Sequence, residues 1–188
     1  TYRPTDIKGQ EHGITSTDAF LLEELPSSIL IAGGGYIALE FATVFAGLGV
    51  ETTVIYRGER ILRGFDHEIR AHVQNEMMRA GVNILCGSVI EEITALPNGK
   101  KLARLSNSMQ MEADQVMWAV GRRPNTSGLG LENAGVALND RGAVVVDAFS
   151  RTNVPSIYAV GDVTDRLNLT PVAIREAVAF VNTEFLGK

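Results

Sequence analysis

The chain holds a single cysteine, Cys86, and three histidines among its 188 residues. One thiol cannot close an internal disulfide, a usage that fits a reducing compartment. No two His or Cys residues have the spacing of a metal-ligand pair, so no metal site is expected. No window of 18 apolar residues occurs, which leaves no candidate for a membrane-crossing helix. Positive charge is not in excess either. The formal net charge of -5 lacks the basic footprint of a nucleic-acid-binding protein. Internal repeats and low-complexity tracts are missing. The opening TYRPTDIKGQ is polar, carries no signal peptide and has no initiator methionine. With an apolar-faced helix close to the other end, this suggests a piece of a longer polypeptide. What is present is ordinary for a globular protein: 45% apolar and 21% charged residues, in a length that suits one large domain or two small ones.

Thr1 to Gly13 reads as a linker. Ser16 or Thr17 can cap a short helix through DAFLLEEL, stopped by Pro26. SILIAG is a short apolar run ending in glycine, the pattern of a buried strand. YIALEFATVFAGLG is apolar on several sides, a buried helix ended by Gly47 or Gly49. TTVIY is β-branched and aromatic, hence a second strand. Asp66 caps a further helix whose apolar stripe runs Ile69, Val73, Met77 and which Gly81 ends. VNILC is another strand. The pattern then changes: SVIEEITAL and KLARLSN flank Pro97-Asn98-Gly99-Lys100, and Asn-Gly tolerates the positive φ of a two-residue hairpin turn. QVMWAVG reads as the third strand of a small antiparallel meander. AVVVD and IYAVGD read as strands, and a helix from Pro171 to Leu186 closes the chain, with Pro171 suited to its first turn.

Gly33-Gly34-Gly35-Tyr36-Ile37-Ala38 is a G-x-G-x-x-A motif between an apolar strand and a helix, followed by a second strand ending near Tyr56. That context makes it a dinucleotide-binding turn. Gly33 allows the tight turn, Gly35 lets backbone approach a pyrophosphate, and Ala38 lets helix and strand pack closely. The helix N-terminus offers free N–H groups to the phosphates. The competing reading is a tight strand–helix turn without a ligand.

An NAD site carries Asp or Glu about 20 residues further on, to bind the ribose 2′-hydroxyl. Here the strand ends Val54-Ile55-Tyr56-Arg57, without an acid. Arg57 and Arg63 are instead the guanidinium groups that a 2′-phosphate wants. At roughly 1.5–3 kcal/mol per charge-assisted bond, two of them favour NADP over NAD roughly a hundredfold or more after discounting for solvent. Glu59 and Arg60 lie between them, so a surface salt-bridge loop is the alternative.

Those residues resemble the glutathione reductase branch of the flavin-dependent pyridine-nucleotide disulfide oxidoreductases. GGGYIALE resembles the family's NADPH turn, and YRGERILRGFD its 2′-phosphate loop, which trypanothione reductases share. VMWAVGRRPNT resembles the strand that leaves the NADPH domain, while IYAVGDVT and NLTPVA resemble the second FAD signature. The resemblance covers nearly the whole chain, with the five motifs in the family's order.

The resemblance implies an α/β, Rossmann-like FAD/NAD(P)-binding fold: a parallel sheet with an antiparallel three-stranded meander. It implies a connection over residues 1–25, an NADPH-binding domain over 26–120 and the returning segment of a FAD domain over 121–188. Gly33, Gly35 and Ala38 would form the NADPH turn. Tyr36 would be the lid over the nicotinamide pocket, and Ile37 would line it. Arg57 and Arg63 would hold the 2′-phosphate, and Gly121 and Arg122 would lie along the NADPH. Glu40 would face the flavin and pair with a lysine, supporting hydride transfer. Asp162 would bond the FAD ribityl chain, and Leu169 and Thr170 would approach the flavin ring. From the residues alone there are other readings: Glu40 as an exposed helix edge, Asp162 as a turn or cap, and Arg122 with Arg123 as a solvated loop.

The reaction implied is reduction of a disulfide to two thiols by NADPH through FAD and a cysteine pair. Glutathione disulfide is the first substrate, in a cytoplasmic enzyme that forms a homodimer and uses neither nucleic acid nor membrane. Some members place a His after the first arginine of the phosphate loop; Gly58 stands there. The Cys-x-x-x-x-Cys pair, the first FAD turn and the interface domain with its His-Glu pair are not in this chain. Cys86 reads as a buried structural thiol, and His67 and His72 as solvent-exposed. The chain by itself is therefore expected to bind NADPH weakly and catalyse nothing. Rival readings are a trypanothione, mercuric or dihydrolipoyl type of reductase, a transhydrogenase, or a non-catalytic NADP-binding module.

Overall fold

A computed structural model describes all of residues 1–188, which divide into two compact units, Thr1–Gly121 and Arg122–Lys188. The first unit carries eight strands: β1 (Ile14–Thr15), β2 (Ser28–Ala32), β3 (Glu51–Tyr56), β4 (Asn83–Cys86), β5 (Ile90–Ala95), β6 (Lys101–Leu105), β7 (Gln110–Ala113) and β8 (Gln115–Trp118). Its helices are α1 (Ser16–Ala19), α2 (Tyr36–Gly47) and α3 (His67–Arg79). A five-stranded sheet runs β1-β8-β2-β3-β4, parallel throughout, and β5-β6-β7 form a separate antiparallel sheet. The expected fold class is thus the observed one.

β2 is central and buried on both faces, which is why it reads as an unbroken apolar run. Ile29 and Ile31 pack with Ala38, Leu39, Ala42 and Phe45 of α2 and with Met77 of α3. Leu30 and Ala32 face the other way, with Val116, Trp118 and the meander residues Ile93, Ala103, Leu105 and Ala113. The stripe expected on α3 is buried only at its C-terminal end: Met77 is buried and Ile69 exposed. Asp66 caps α3 as expected, its carboxylate accepting from the N–H groups of Glu68 and Ile69 at 2.9 and 3.1 Å.

QVMW does not belong to the meander. As β8 it enters the parallel sheet between β1 and β2. The third meander strand is Gln110–Ala113, too short and polar to stand out, pairing Ala103 with Met111 and Lys101 with Ala113. So short an apolar run suits either sheet, and only non-local pairing chooses. The hairpin at Asn98-Gly99 also differs from expectation. Ala95 pairs with Lys101, and the Leu96 N–H bonds the Lys100 carbonyl at 2.8 Å. The loop is thus three residues long, and Gly99 alone takes positive φ.

Residues 1–13 are docked rather than free. The Ile93 N–H bonds the Lys8 carbonyl at 2.9 Å, and a 3₁₀ turn over Gln10–His12 offers the Gln10 carbonyl to the Trp118 indole N–H at 2.9 Å. Gly9 is at φ +74°, and a Cβ on it would overlap the Ile93 carbonyl oxygen.

The helix expected through DAFLLEEL is a single turn, Ser16–Ala19. Phe20, Leu21 and Leu25 are exposed, and of the residues after Ala19 only Leu22 packs on the core, whereas packing is what sustains short helices. The turn is held by Asp18, whose Oδ2 accepts from the Thr15 N–H and hydroxyl at 2.7 and 2.8 Å. The Thr15 backbone bond, ahead of the hydroxyl and of Arg3, draws the Asp18 carboxyl below its usual range. A depressed carboxyl adds stability above its unfolded pKa and loses it as pH falls through the folded one. Between about pH 5 and pH 3, the urea midpoint of the wild-type chain is expected to fall further than that of Asp18→Asn. Parallel slopes would refute the contribution.

The second unit holds a 3₁₀ turn over Gly161–Thr164 and α4 (Thr170–Leu186). AVVVD and IYAVGD, expected as strands, make only isolated bridges, Leu138 with Val144 and Arg151 with Tyr158. A strand needs a ladder partner, and neither segment has one here. Glu184 of α4 ties the unit together, accepting from Arg151 at 2.8 Å and from the Tyr158 hydroxyl at 2.8 Å. No helix of the chain is long and apolar enough to cross a membrane.

Candidate functional site

The parallel strands deliver the glycine turn and the arginine loop to the same sheet end, the carboxyl edge, where open α/β sheets bind ligands. Gly33 ends β2 at φ +134°, and a Cβ on it would lie 2.3 Å from the Ala119 carbonyl oxygen. Gly35 is different. Its φ of -86° suits any residue, and a Cβ on it would meet nothing within 4 Å. Neither backbone conformation nor packing within this chain asks for glycine at 35. Open space in front of the turn is what a phosphate approaching the backbone would use.

Gly35 also N-caps α2, and no side chain bonds to that cap. The first amides of a helix lack intrahelical acceptors and sit at the positive end of the dipole, an arrangement suited to an anion. Ala38 is fully buried against the sheet. Tyr36 and Ile37 are half-buried in the first turn. Glu40 is exposed, with no ion-pair partner in this chain, so the apolar run around it does not bury the carboxylate.

Tyr56 ends β3 where an NAD site would place an acid. A Cβ at Gly34 would come within 2.5 Å of its ring, and a Cβ at Gly58 within 2.6 Å. The ring is thus flanked by two glycines. This gives Gly58 a steric role that its sequence position, read as a missing donor, did not reveal.

The loop after Tyr56 sorts its arginines into two kinds. Arg57 and Arg63 are exposed and make no hydrogen bond or ion pair; Glu59 bridges neither. The salt-bridge loop that the sequence allowed is therefore not formed. Arg60 instead lies 3.1 Å from the His67 ring Nε2. Leu62, at φ +55°, donates its N–H to the Gly34 carbonyl at 2.7 Å. That bond fastens the loop to the glycine turn and sets Arg63 one residue from it. From α3, the Arg70 Nε donates to the Ile61 carbonyl at 2.7 Å and a terminal nitrogen to the Arg60 carbonyl at 2.5 Å. Gln74 accepts from the Ile61 N–H at 3.3 Å. Sequence reasoning missed Leu62, Arg70 and Gln74, because nothing in a helix pattern marks which polar residue reaches back to a loop.

Cys86, at the end of β4, is half-buried rather than buried, and burial raises its thiol above the usual range. It is a poor nucleophile at neutral pH.

In the second unit, Arg122 and Asp162 meet as an ion pair, with nitrogens at 2.9 and 3.0 Å from Asp162 Oδ2. The sequence reading had sent these residues to two different ligands. Gly161, at φ +74°, donates its N–H to Glu176 of α4 at 2.7 Å and would place a Cβ 2.9 Å from that of Ala173. The 3₁₀ turn is therefore packed tightly on α4. Leu169 N-caps that helix without a side-chain bond, and it and Thr170 are exposed.

A parallel βαβ unit with a glycine turn, an uncapped helix N-terminus and free arginines beyond the second strand defines a dinucleotide-binding protein. The chain belongs to the pyridine nucleotide-disulphide oxidoreductase family, whose pattern matches residues 1–177. It is 48% identical over 182 residues to a glutathione reductase of Burkholderia cepacia, covering 97% of this chain and 40% of that protein. Identity to a trypanothione reductase of Trypanosoma congolense is 44% over 185 residues, covering 97% of this chain and 38% of that protein. The HOCl-induced flavoprotein disulfide reductase RclA from Escherichia coli superposes with a TM-score of 0.90 at 33% identity, over 100% of this chain and 43% of RclA. The chain thus spans about two fifths of the length of the curated relatives it matches.

Proposed function

We propose that this chain is the NADPH-binding part of a flavoprotein disulfide reductase acting on glutathione disulfide. The observation that carries the proposal is the pair of unpartnered guanidinium groups, Arg57 and Arg63, on a loop bonded through Leu62 to the glycine turn. On this reading residues 26–120 are the NADPH domain, 1–25 the connection into it and 121–188 the returning part of a FAD domain. Gly33, Gly35 and Ala38 seat the pyrophosphate, and the open space before Gly35 fits that group. Tyr36 and Ile37 border the nicotinamide. Gly121 and Arg122 run along the dinucleotide, and Arg122 would have to leave Asp162 to do so. Glu40, unpaired on α2, is the carboxylate that supports hydride transfer. Asp162, Leu169 and Thr170 are the FAD residues, and the uncapped start of α4 suits an electron-rich ring oxygen.

When bound, NADPH would supply a hydride to FAD, whose two electrons would then go on toward the disulfide. The chain's own task is to bind and orient. The relatives' names favour glutathione disulfide, with trypanothione the second substrate. A cytoplasmic homodimer is the assembly and location we infer, consistent with one unpaired cysteine.

Calorimetric titration of the purified chain with NADPH and with NADH tests the binding claim. NADPH is expected to bind at least tenfold more tightly, and equal affinities would overturn the assignment. The chain alone is expected to leave glutathione disulfide unreduced.

A further inference from the structure

We propose that Arg70 of α3 is a positioning residue for cofactor selectivity: its guanidinium clamps the arginine loop in the form that presents Arg57 and Arg63 to a 2′-phosphate. The inference rests on the NADPH reading above and deepens it.

A loop with two exposed guanidiniums selects a phosphate only if it is held before the ligand arrives. Otherwise the ligand must order it, and the selectivity is spent on that ordering. In this loop the Arg57 and Arg63 side chains are free and the backbone is fixed: the Tyr56 and Gly58 carbonyls accept from the Ser88 and Gly87 N–H groups at 3.1 and 3.0 Å, and α3 holds the middle. Arg70 spans two consecutive carbonyls, Ile61 at 2.7 Å and Arg60 at 2.5 Å, with two nitrogens of one planar group. Charge-assisted bonds of this kind are the strong ones. Gln74, one turn further along α3, takes the Ile61 N–H. Directly after the clamped pair comes Leu62, in a left-handed conformation uncommon for a leucine. Its N–H reaches the Gly34 carbonyl, and Ile61 beside it is fully buried.

The chain of restraint thus runs from α3 through Arg70 to residues 60 and 61, then through Leu62 to the glycine turn. Arg57 lies before this stretch, between the bonded Tyr56 and Gly58, and Arg63 after it. α3 is itself anchored close by, since Asp66 caps it one residue beyond Phe65. Without Arg70, the carbonyls of half-buried Arg60 and buried Ile61 lose this donor and the left-handed Leu62 loses its support. The phosphate turn, built from β2 and α2, would remain.

The prediction is therefore a split between two ligands. In titrations of the full chain, Arg70→Met is expected to weaken NADPH binding about tenfold, or about 1.4 kcal/mol, while NADH affinity stays within about twofold. Arg70→Lys retains the charge but not the fork, and is expected to lose selectivity about threefold. Amide hydrogen exchange at Leu62 should quicken in Arg70→Met without NADPH present, a readout independent of binding. A selectivity ratio unchanged in both variants overturns the inference, as does equal weakening of both ligands. Should Arg70→Met fail to fold, Arg70→Lys decides alone, and unaltered selectivity in it refutes the clamp. A wild-type chain that binds NADPH and NADH alike would sink the NADPH reading and this inference together. A wild-type preference that survives in the variants sinks only the inference.

Discussion

Replacing Arg57 and Arg63 together with methionine is expected to abolish the preference for NADPH over NADH. Both side chains are exposed and unpartnered, so their removal breaks no hydrogen bond or ion pair within the chain. The melting temperature should stay within about 2 °C, since surface changes of this kind are worth about half a kcal/mol or less. NADPH affinity should fall by about a hundredfold, the product of two charge-assisted contacts after solvent discounting. NADH affinity should hold or rise slightly. Salt offers a second check, because exposed ion pairs are screened over a Debye length of about 8 Å at physiological ionic strength. The wild-type preference should shrink as salt rises, and the double variant should show no such dependence. An NADPH affinity that survives both substitutions would mean the loop does not read the 2′-phosphate.

Gly33→Ala is expected to produce the largest loss of stability of any single methyl addition in the glycine turn. The new Cβ would lie 2.3 Å from the Ala119 carbonyl oxygen, a backbone atom that cannot swing aside. Around it the sheet is closely bonded: the Gly33 N–H reaches the Ile55 carbonyl at 2.9 Å and the Ala119 N–H the Ala32 carbonyl at 2.8 Å. Holding alanine at φ +134° adds about 1–3 kcal/mol of strain. Overpacking adds about 1–3 kcal/mol more. Against a total of about 5–15 kcal/mol, the melting temperature should drop by roughly 5–20 °C.

Gly35→Ala is the paired control. With open space around its Cβ and a φ of -86°, alanine at 35 should cost the fold about 1 kcal/mol or less, through the poorer N-cap. Dinucleotide affinity should nevertheless fall tenfold or more, for NADPH and NADH alike, because the methyl enters the space the pyrophosphate needs. Thermal melts and titrations of both variants distinguish the two glycines. On the proposed reading the first is needed by the chain and the second by the ligand. A Gly35→Ala chain that bound both dinucleotides normally would refute that division.

Local patterns in this sequence were readable where one short stretch carries the whole signal. The G-x-G-x-x-A turn lies between an apolar strand and a helix, and the structure has that strand and helix at Ser28–Ala32 and Tyr36–Gly47. Asp66 announced the start of α3, since an N-cap acts within its own turn. The absence of an acid at Tyr56, with Arg57 and Arg63 following, is legible without coordinates. What misled was reach. QVMW looks the same whether it closes a meander or crosses into a parallel sheet, and pairing with β1 and β2 is settled by residues far away in the chain. Residues 1–13 look like a linker because their anchors, Ile93 and Trp118, are distant in sequence. The helix expected at Asp18–Leu25 had suitable residues, but beyond Ala19 only Leu22 finds core to pack on.

By itself, then, the sequence determined a glycine-rich strand–helix turn, the positive charge after the second strand, and the kinship that its ordered motifs display. These depend on residue type and short spacing, which backbone geometry converts directly into a shape. Tertiary structure alone decided which arginines are free to meet a ligand. Arg57, Arg60, Arg63 and Arg70 carry the same group, but Arg60 lies against His67 and Arg70 is committed to two backbone carbonyls. A guanidinium's role follows from what lies within about 3 Å of it, and in this loop those neighbours come from a helix that the sequence pattern does not join to it.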